Sequence, residues 1–228
     1  MSKIKILVTI IVIATFSSIY AILGLSVDNS ITSDDEKAIL SLRIEEKCEN
    51  SIGTYEKEIE CLRSIQAAVQ SIGEKRCAVA ADIVEPSEFL KRNYGCCFDR
   101  ARFIEKSARY FGYETRHIFL IQPNYIGSLT NSLPLGQASH ATSEILTTNG
   151  WIGVDSIDPF ILIGADSSPY TYRHAISNLN EFPSMVPQHF YQESIDVIYG
   201  LYSRHGKFHG RNFPGPEFVF SELKWNWQ

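Results

Sequence analysis

The chain has 228 residues, 44% hydrophobic and 21% charged, with 14 Gly, 9 Pro, 5 Cys and a formal net charge of −5 at pH 7. That composition excludes a disordered, collagen-like or coiled-coil protein and fits an ordinary globular one. The acidic balance argues against nucleic acid as a partner, because a polyanion binder needs a basic face.

The apolar content is concentrated at the start, where residues 6–27 carry no charged side chain and Lys3 and Lys5 stand just before them. Ile6 to Leu25 is about the 20 residues that cross a hydrocarbon core of roughly 30 Å, so the sequence predicts a single-pass membrane anchor over residues 1–27. A cleaved signal peptide is the other reading, although the apolar run is long and only Gly24-Leu25-Ser26 fits a small-x-small cleavage pattern. Basic residues before the segment, and Asp28, Asp34, Asp35 and Glu36 after it, place the N-terminus in the cytoplasm and the rest in the periplasm or outside the cell. Without Lys3 and Lys5 the exported part keeps 19 basic against 26 acidic residues. Residues 28–228 suffice for one domain, with no internal repeat to suggest a second.

Ser26 to Ser33 reads as a polar linker. Ser33 then caps a helix with Glu36 three residues on, and a mostly helical pattern continues to about Cys48. A clearer helix runs from Tyr55 to Ile72, with Ile59, Leu62, Ile65, Ala68 and Val69 on one face and Gly73 as its stop. Glu85-Pro86-Ser87 opens a helical turn that Asn93-Tyr94-Gly95 interrupts. From Cys97 the pattern is helical again, with Ala101, Ile104, Ala108 and Phe111 at spacings of three and four, ended by Gly112. Strand-like runs follow at Thr115 to Gln122, Ala141 to Thr147 and Trp151 to Val154, the last two joined by the hairpin dipeptide Asn149-Gly150. Between the first two lies a long polar loop, Pro123 to Ser139, of a length that is uncommon unless functional or mobile. Ser194 to Tyr202 reads as a strand or short helix. The aromatic end, with Phe208, Phe213, Phe218, Phe220, Trp225 and Trp227, reads as an element covering the core.

The cysteines are Cys48, Cys61, Cys77, Cys96 and Cys97. An odd number in an oxidising compartment leaves at least one thiol unpaired or a bridge between chains. Two bridges among Cys48, Cys61, Cys77 and Cys96 would leave Cys97 free. A vicinal Cys96–Cys97 disulfide, or reduced buried thiols, remain open.

Three segments carry residues suited to thiol chemistry: Gly95-Cys96-Cys97-Phe98-Asp99, His140-Ala141-Thr142-Ser143-Glu144, and Gly150-Trp151-Ile152-Gly153-Val154-Asp155. A Cys at a helix start has its thiolate stabilised by unpaired backbone N–H groups and the positive end of the dipole. A nearby His can take the thiol proton and return one to the leaving group, and an acid behind it fixes the tautomer.

From about residue 94 to 159 the chain resembles the transglutaminase-like superfamily of papain-like thiol enzymes, specifically a membrane-anchored, bacterial-type member. The family pattern G-x-C-x-D-x-A is matched by Gly95, Cys97, Asp99 and Ala101, which selects Cys97 over Cys96. H-A-x-x-E is matched by His140, Ala141 and Glu144, and W-x-x-x-D by Trp151 and Asp155. The resemblance implies an α+β fold in which a Cys-bearing helix packs on an antiparallel sheet, and a catalytic triad of Cys97, His140 and Asp155. Two departures stand out: Thr142 replaces a frequent aromatic residue, and Asp158-Pro159 offers an alternative match to the final acid. The expected activity is attack on a carboxamide or peptide bond of a peptide or protein, through a thioester on Cys97, with no metal or organic cofactor. A different expectation is a binding module of the same fold that has lost catalysis, serving in an envelope or polysaccharide-export assembly. Its marks would be a Cys96–Cys97 bridge or a His140 turned away from Cys97.

Residue types alone assign the neighbours more modest roles. Asp99 reads as a first-turn acid, Glu144 as a strand-face ion-pair partner, and His205 and His209 as loop residues rather than metal ligands. The Cys97 N–H is a natural oxyanion donor, with Asn93, Tyr94 or the Gln137 loop as candidates for the second. If Asn149-Gly150 formed an ideal hairpin turn, Asp155 would face Glu144. It would then sit four residues, about 13 Å, from the level of His140, too far without a bulge or wider turn.

Overall fold

The computed structural model describes residues 3–76, 85–121, 139–178, 195–203 and 217–227. The first element is a helix, α1 (Lys3–Leu25). Its described side chains, residues 5–18, are exposed, including Ile6, Leu7, Ile10, Ile11, Ile13 and Phe16. Among the described residues no helix is long and apolar enough to cross a membrane.

The stretch read as a linker is instead built into the domain. Val27 is buried and its N–H donates to Phe218 O at 2.8 Å. The Arg102 guanidinium donates to Asp28 O and Asn29 Oδ1. The cause is a buried cation, absent from any local pattern, that recruits polar chain from the far end of the sequence.

Helix α2 (Ser33–Leu40) starts one residue earlier than expected, because Thr32 is the cap and Asp35 the reciprocal partner. Asp35 Oδ2 accepts from Thr32 N at 2.9 Å and from Lys106 Nζ at 2.7 Å, so the box is welded to a buried charge. The helix stops at Leu40, Arg43 turns the chain at φ 56°, and α3 (Glu45–Cys48) follows. Helix α4 (Tyr55–Gln70) presents Ile59, Leu62, Ile65 and Val69 inward, as its periodicity predicts. A Cys48–Cys61 disulfide joins α3 to α4.

Helix α5 (Pro86–Arg92) ends at Asn93 in the left-handed region. Helix α6 (Cys97–Tyr110) follows and is buried along most of its length. Its Arg100 donates to the carbonyls of Val69, Gln70 and Ile72, at and just beyond the end of α4.

Strands β1 (Thr115–Ile121), β2 (Ser139–Thr147), β3 (Gly150–Val154) and β4 (Asp196–Tyr199) form one antiparallel sheet in the order β3-β2-β1-β4. Helix α7 (Tyr172–Ser177) lies between β3 and β4 in sequence. The segment read as strand or helix near residue 200 is two strands, β4 and β5 (Leu201–Ser203), broken at Gly200 with φ 74°. Strand β5 pairs with β6 (Glu217–Phe218), and a 3₁₀ helix spans Phe220–Trp227.

The result is an α+β fold. Phe103, Ile104 and Ala108 of α6 pack with Ile145, Ile152 and Val154 on one face of the sheet, with α4 behind them. Ile118 and Leu120 on the opposite face meet Leu162, Tyr172 and Ala175. The alternation of side chains along β1 and β2 separates these two sets. The aromatic end covers the core only in part: Trp225 packs against it, whereas Phe220 and Trp227 are 40% and 80% exposed.

Candidate active site

Cys97 is the first residue of α6, and Cys96, in extended conformation, is its cap. Asp99 Oδ2 accepts the Cys96 N–H at 2.7 Å, which fixes the chain as it enters the helix. Asp99 also meets Arg92 at 3.2 Å. Burial nevertheless pushes the Asp99 carboxyl up to about 6, against the Cys96 N–H and Arg92, which favour its charge. Asp99 is thus the first-turn acid the sequence predicts, and it serves in addition as the capping partner of Cys96. A side chain at Gly95 would overlap the Phe89 ring, so only glycine lets α5 close against this turn.

Cys96 is disulfide-bonded and Cys97 is free, so the two are not bridged to each other. Cys77 lies outside the described residues.

His140, near the start of β2, turns Nε2 to Asp155 Oδ2 at 2.8 Å. The Cys97 side chain also acts on it, through hydrogen bonding and charge that favour the protonated ring. With Nε2 taken by the carboxylate, Nδ1 is the nitrogen left for the thiol. Asp158, the alternative acid, instead donates its N–H to Asp155 Oδ1 at 2.7 Å.

The distance problem posed by an ideal Asn149-Gly150 turn is solved by register. Thr147 pairs with Gly150, so Thr148 and Asn149 form the loop, and Ser143 pairs with Val154. Asp155 therefore falls level with Thr142, two residues or about 7 Å along the strand from His140. Glu58 of α4 sets this register by accepting from Thr148 N at 2.8 Å and from the Thr148 hydroxyl. Beyond β3 the Asp155 side chain curls back to accept the Ile157 and Asp158 N–H groups at Oδ1.

Models of known protein families give no match to this chain, and neither do curated proteins.

The electrostatics follow from this geometry. Burial disfavours a charged His140, but the Asp155 carboxylate and the Cys97 thiol outweigh it and raise the imidazole well above its usual value. Burial likewise disfavours a charged Asp155, yet His140 and two backbone N–H donors hold its carboxyl below the usual range. The two shifts describe an imidazolium–carboxylate pair beside the Cys97 sulfur, and His140 is only 14% exposed at the side chain.

Four residues outside the triad support it. The Tyr172 hydroxyl lies 3.3 Å from Asp155 Oδ2 and 2.8 Å from the Thr142 hydroxyl, which itself donates to Val154 O. Gln66 and Gln70 of α4 donate to Asp155 O at 2.9 and 3.1 Å and hold the turn after β3. Gln66 had one visible sign: a polar amide beside the apolar stripe of α4. Thr142 had another, since period two places it between His140 and Glu144 on one strand face. Tyr172, seventeen residues past Asp155, had none.

Glu144 is buried and paired with Arg116, with Nε at 2.7 Å, as an ion-pair partner should be. Of the candidate second oxyanion donors, Tyr94 packs its ring against Arg76 and Arg92, and Asn93 is the left-handed end of α5. Gln137, His205 and His209 lie outside the described residues. Among the described residues no cluster of three or more His, Cys, Asp or Glu side chains is placed to hold a metal ion.

Proposed function

We propose that this chain is a transglutaminase-like thiol enzyme that acts on a carboxamide or peptide bond through a thioester on Cys97. The observation that carries this reading is the single imidazole of His140, hydrogen-bonded to buried Asp155 and acted on by the free Cys97 side chain, which favours its protonated form. Cys97 opens a helix and is partly exposed, and His140 is held charged-competent by a carboxylate. These are the properties a cysteine nucleophile requires.

In the reaction the Cys97 proton rests on His140, and the thiolate sulfur of this thiolate–imidazolium pair attacks the carbonyl carbon. The Cys97 backbone N–H, unpaired in the first turn of α6, is a donor for the developing oxyanion. His140 then gives its proton to the nitrogen as the C–N bond breaks, releasing ammonia or an amine and leaving the thioester. Water or an amine attacks that thioester, its proton passes to His140, and the thiol is regenerated. Asp155 holds the ring in one tautomer throughout and stabilises the imidazolium.

The test is acid quenching of the full-length protein with glutamine-containing or amide-capped peptides, followed by peptide mass spectrometry. The expected result is an acyl adduct on Cys97 that hydroxylamine removes. Turnover that persists in Cys97→Ala would contradict the assignment.

We also propose that α1 anchors the domain to a membrane with the domain on the outer side. Supporting this are the apolar side chains exposed around the described part of α1, which no other element covers among the described residues. Retention of the chain in the membrane pellet after alkaline carbonate washing is expected, and release into the supernatant would count against it.

A further inference from the structure

On the face of the sheet opposite α6, a pocket of about 440 Å³ opens between Trp151 of β3, Arg116 of β1, Tyr199 of β4, α7 and the 3₁₀ helix. Its volume falls within the range of small-molecule sites, roughly 300–1,000 Å³. The residues lining it include Arg116, Arg173 and His174, and none is acidic. That is unusual on a chain with 26 acidic against 21 basic residues.

The floor is Arg116, whose side chain is only 6% exposed. Its guanidinium lies 4.1 Å from the Trp151 ring centre, 4.5 Å from Tyr199 and 4.7 Å from Trp225. Glu144 engages Nε and Nη2, both through the same oxygen, while its other oxygen accepts the Tyr172 N–H at 2.7 Å. Nη1 has no hydrogen-bond partner among the described residues. A buried guanidinium with donors left over, at the base of a cavity, is a site for an oxyanion. Arg173, placed 4.8 Å over the Tyr199 ring, brings a second positive charge to the same rim.

The walls specify more than an anion. Trp151 and Trp225 meet edge to face, with ring centres 5.7 Å apart, and offer apolar surface to a ring-shaped body. Thr171 and Ser177 add hydroxyls, each with hydrogen-bonding capacity beyond its bond to the backbone of α7. Cations, aromatic walls and hydroxyls together match a ring that carries both hydroxyl groups and an acid.

We propose that this pocket binds a sugar acid or sugar phosphate, with the carboxylate or phosphate on Arg116 and Arg173 and the sugar ring against Trp151 and Trp225. The site is separate from Cys97 and does not depend on the chain being an enzyme.

The test is titration of the full-length protein, in detergent, with glucuronate, glucose 6-phosphate, inorganic phosphate and glucose, read by tryptophan fluorescence. Arg116→Ala would strand Glu144 as a buried unpaired charge and risk the fold, so Arg173→Ala and Trp225→Leu are the informative variants. We expect a saturable response to glucuronate or glucose 6-phosphate, the tighter of the two identifying the acid, weakened about tenfold or more in each variant. The proposal is overturned by any of three results: no saturable response to either anion up to about 10 mM, glucose binding as tightly as its anions, or inorganic phosphate alone matching glucose 6-phosphate. Unchanged binding in Arg173→Ala would also overturn it.

Discussion

In the proposed reaction His140 is the residue on which the chemistry turns, and its environment makes a definite prediction about pH. Its pKa is raised above the ordinary 6.5, so the stability it contributes is complete below that pH and is lost as pH rises through the folded value. Asp155 is lowered from 3.8, so its contribution is complete above that pH and is lost as pH falls through the folded value. The stability difference between wild type and His140→Gln should therefore be largest from about pH 4 to 6.5 and shrink on the alkaline side, as thermal melts of the two proteins would show. A difference that grew with rising pH would contradict the ion pair. Tyr172 offers a second test at this scale. Tyr172→Phe removes the hydroxyl near Asp155 but keeps the backbone N–H on Glu144, so the fold should hold while kcat falls roughly tenfold with KM little changed. With one donor fewer on Asp155 its carboxylate holds the imidazolium more strongly, so the alkaline limb of the pH–rate profile should move to higher pH, which a merely structural loss would not do.

The elements show how much of the site is legible in a sequence. The helix from Cys97, the strands carrying His140 and Asp155, and the apolar stripe of α4 follow from local periodicity and a few spaced residues. The register of the β2–β3 hairpin does not. Asn149-Gly150 is a strong turn dipeptide, but Glu58, ninety residues away, binds Thr148 and moves the turn by one residue. That single step brings Asp155 from the level of Glu144 to that of Thr142 and within reach of His140. Glu58→Ala should accordingly lower activity more than stability: it frees the turn without removing the hairpin's strand pairing. Comparison of kcat with the melting temperature checks this. The α6 cations were equally hidden, because a pattern of charges on a helix normally reads as a solvated face. Here Arg100 closes the end of α4, Arg102 holds Asp28 and Asn29, and Lys106 pairs with Asp35. Loss of Arg100 as Ala strands several carbonyls and should cost about 2–4 kcal/mol in denaturant unfolding.

At the scale of the molecule, α6 is the hub: one end holds the thiol, one face packs on the sheet, and its buried charges collect α2, α4 and the segment after α1. Among the described cysteines Cys97 is free while the others are bonded, Cys48 to Cys61 across α3 and α4 and Cys96 in its own bridge. Replacing Cys48 and Cys61 with Ser should lower stability by about 2–3 kcal/mol while leaving Cys97 chemistry intact in the folded fraction. Under the proposed function, the odd cysteine count reflects a residue kept for reaction. The most direct test of that claim is the rate of iodoacetamide labelling of Cys97 at pH 6, followed by peptide mass spectrometry in wild type and His140→Ala. Selective labelling of Cys97 that slows about tenfold or more without His140 is the predicted result. Labelling no faster than that of an unfolded cysteine peptide, or unchanged in His140→Ala, would contradict the Cys97–His140–Asp155 site.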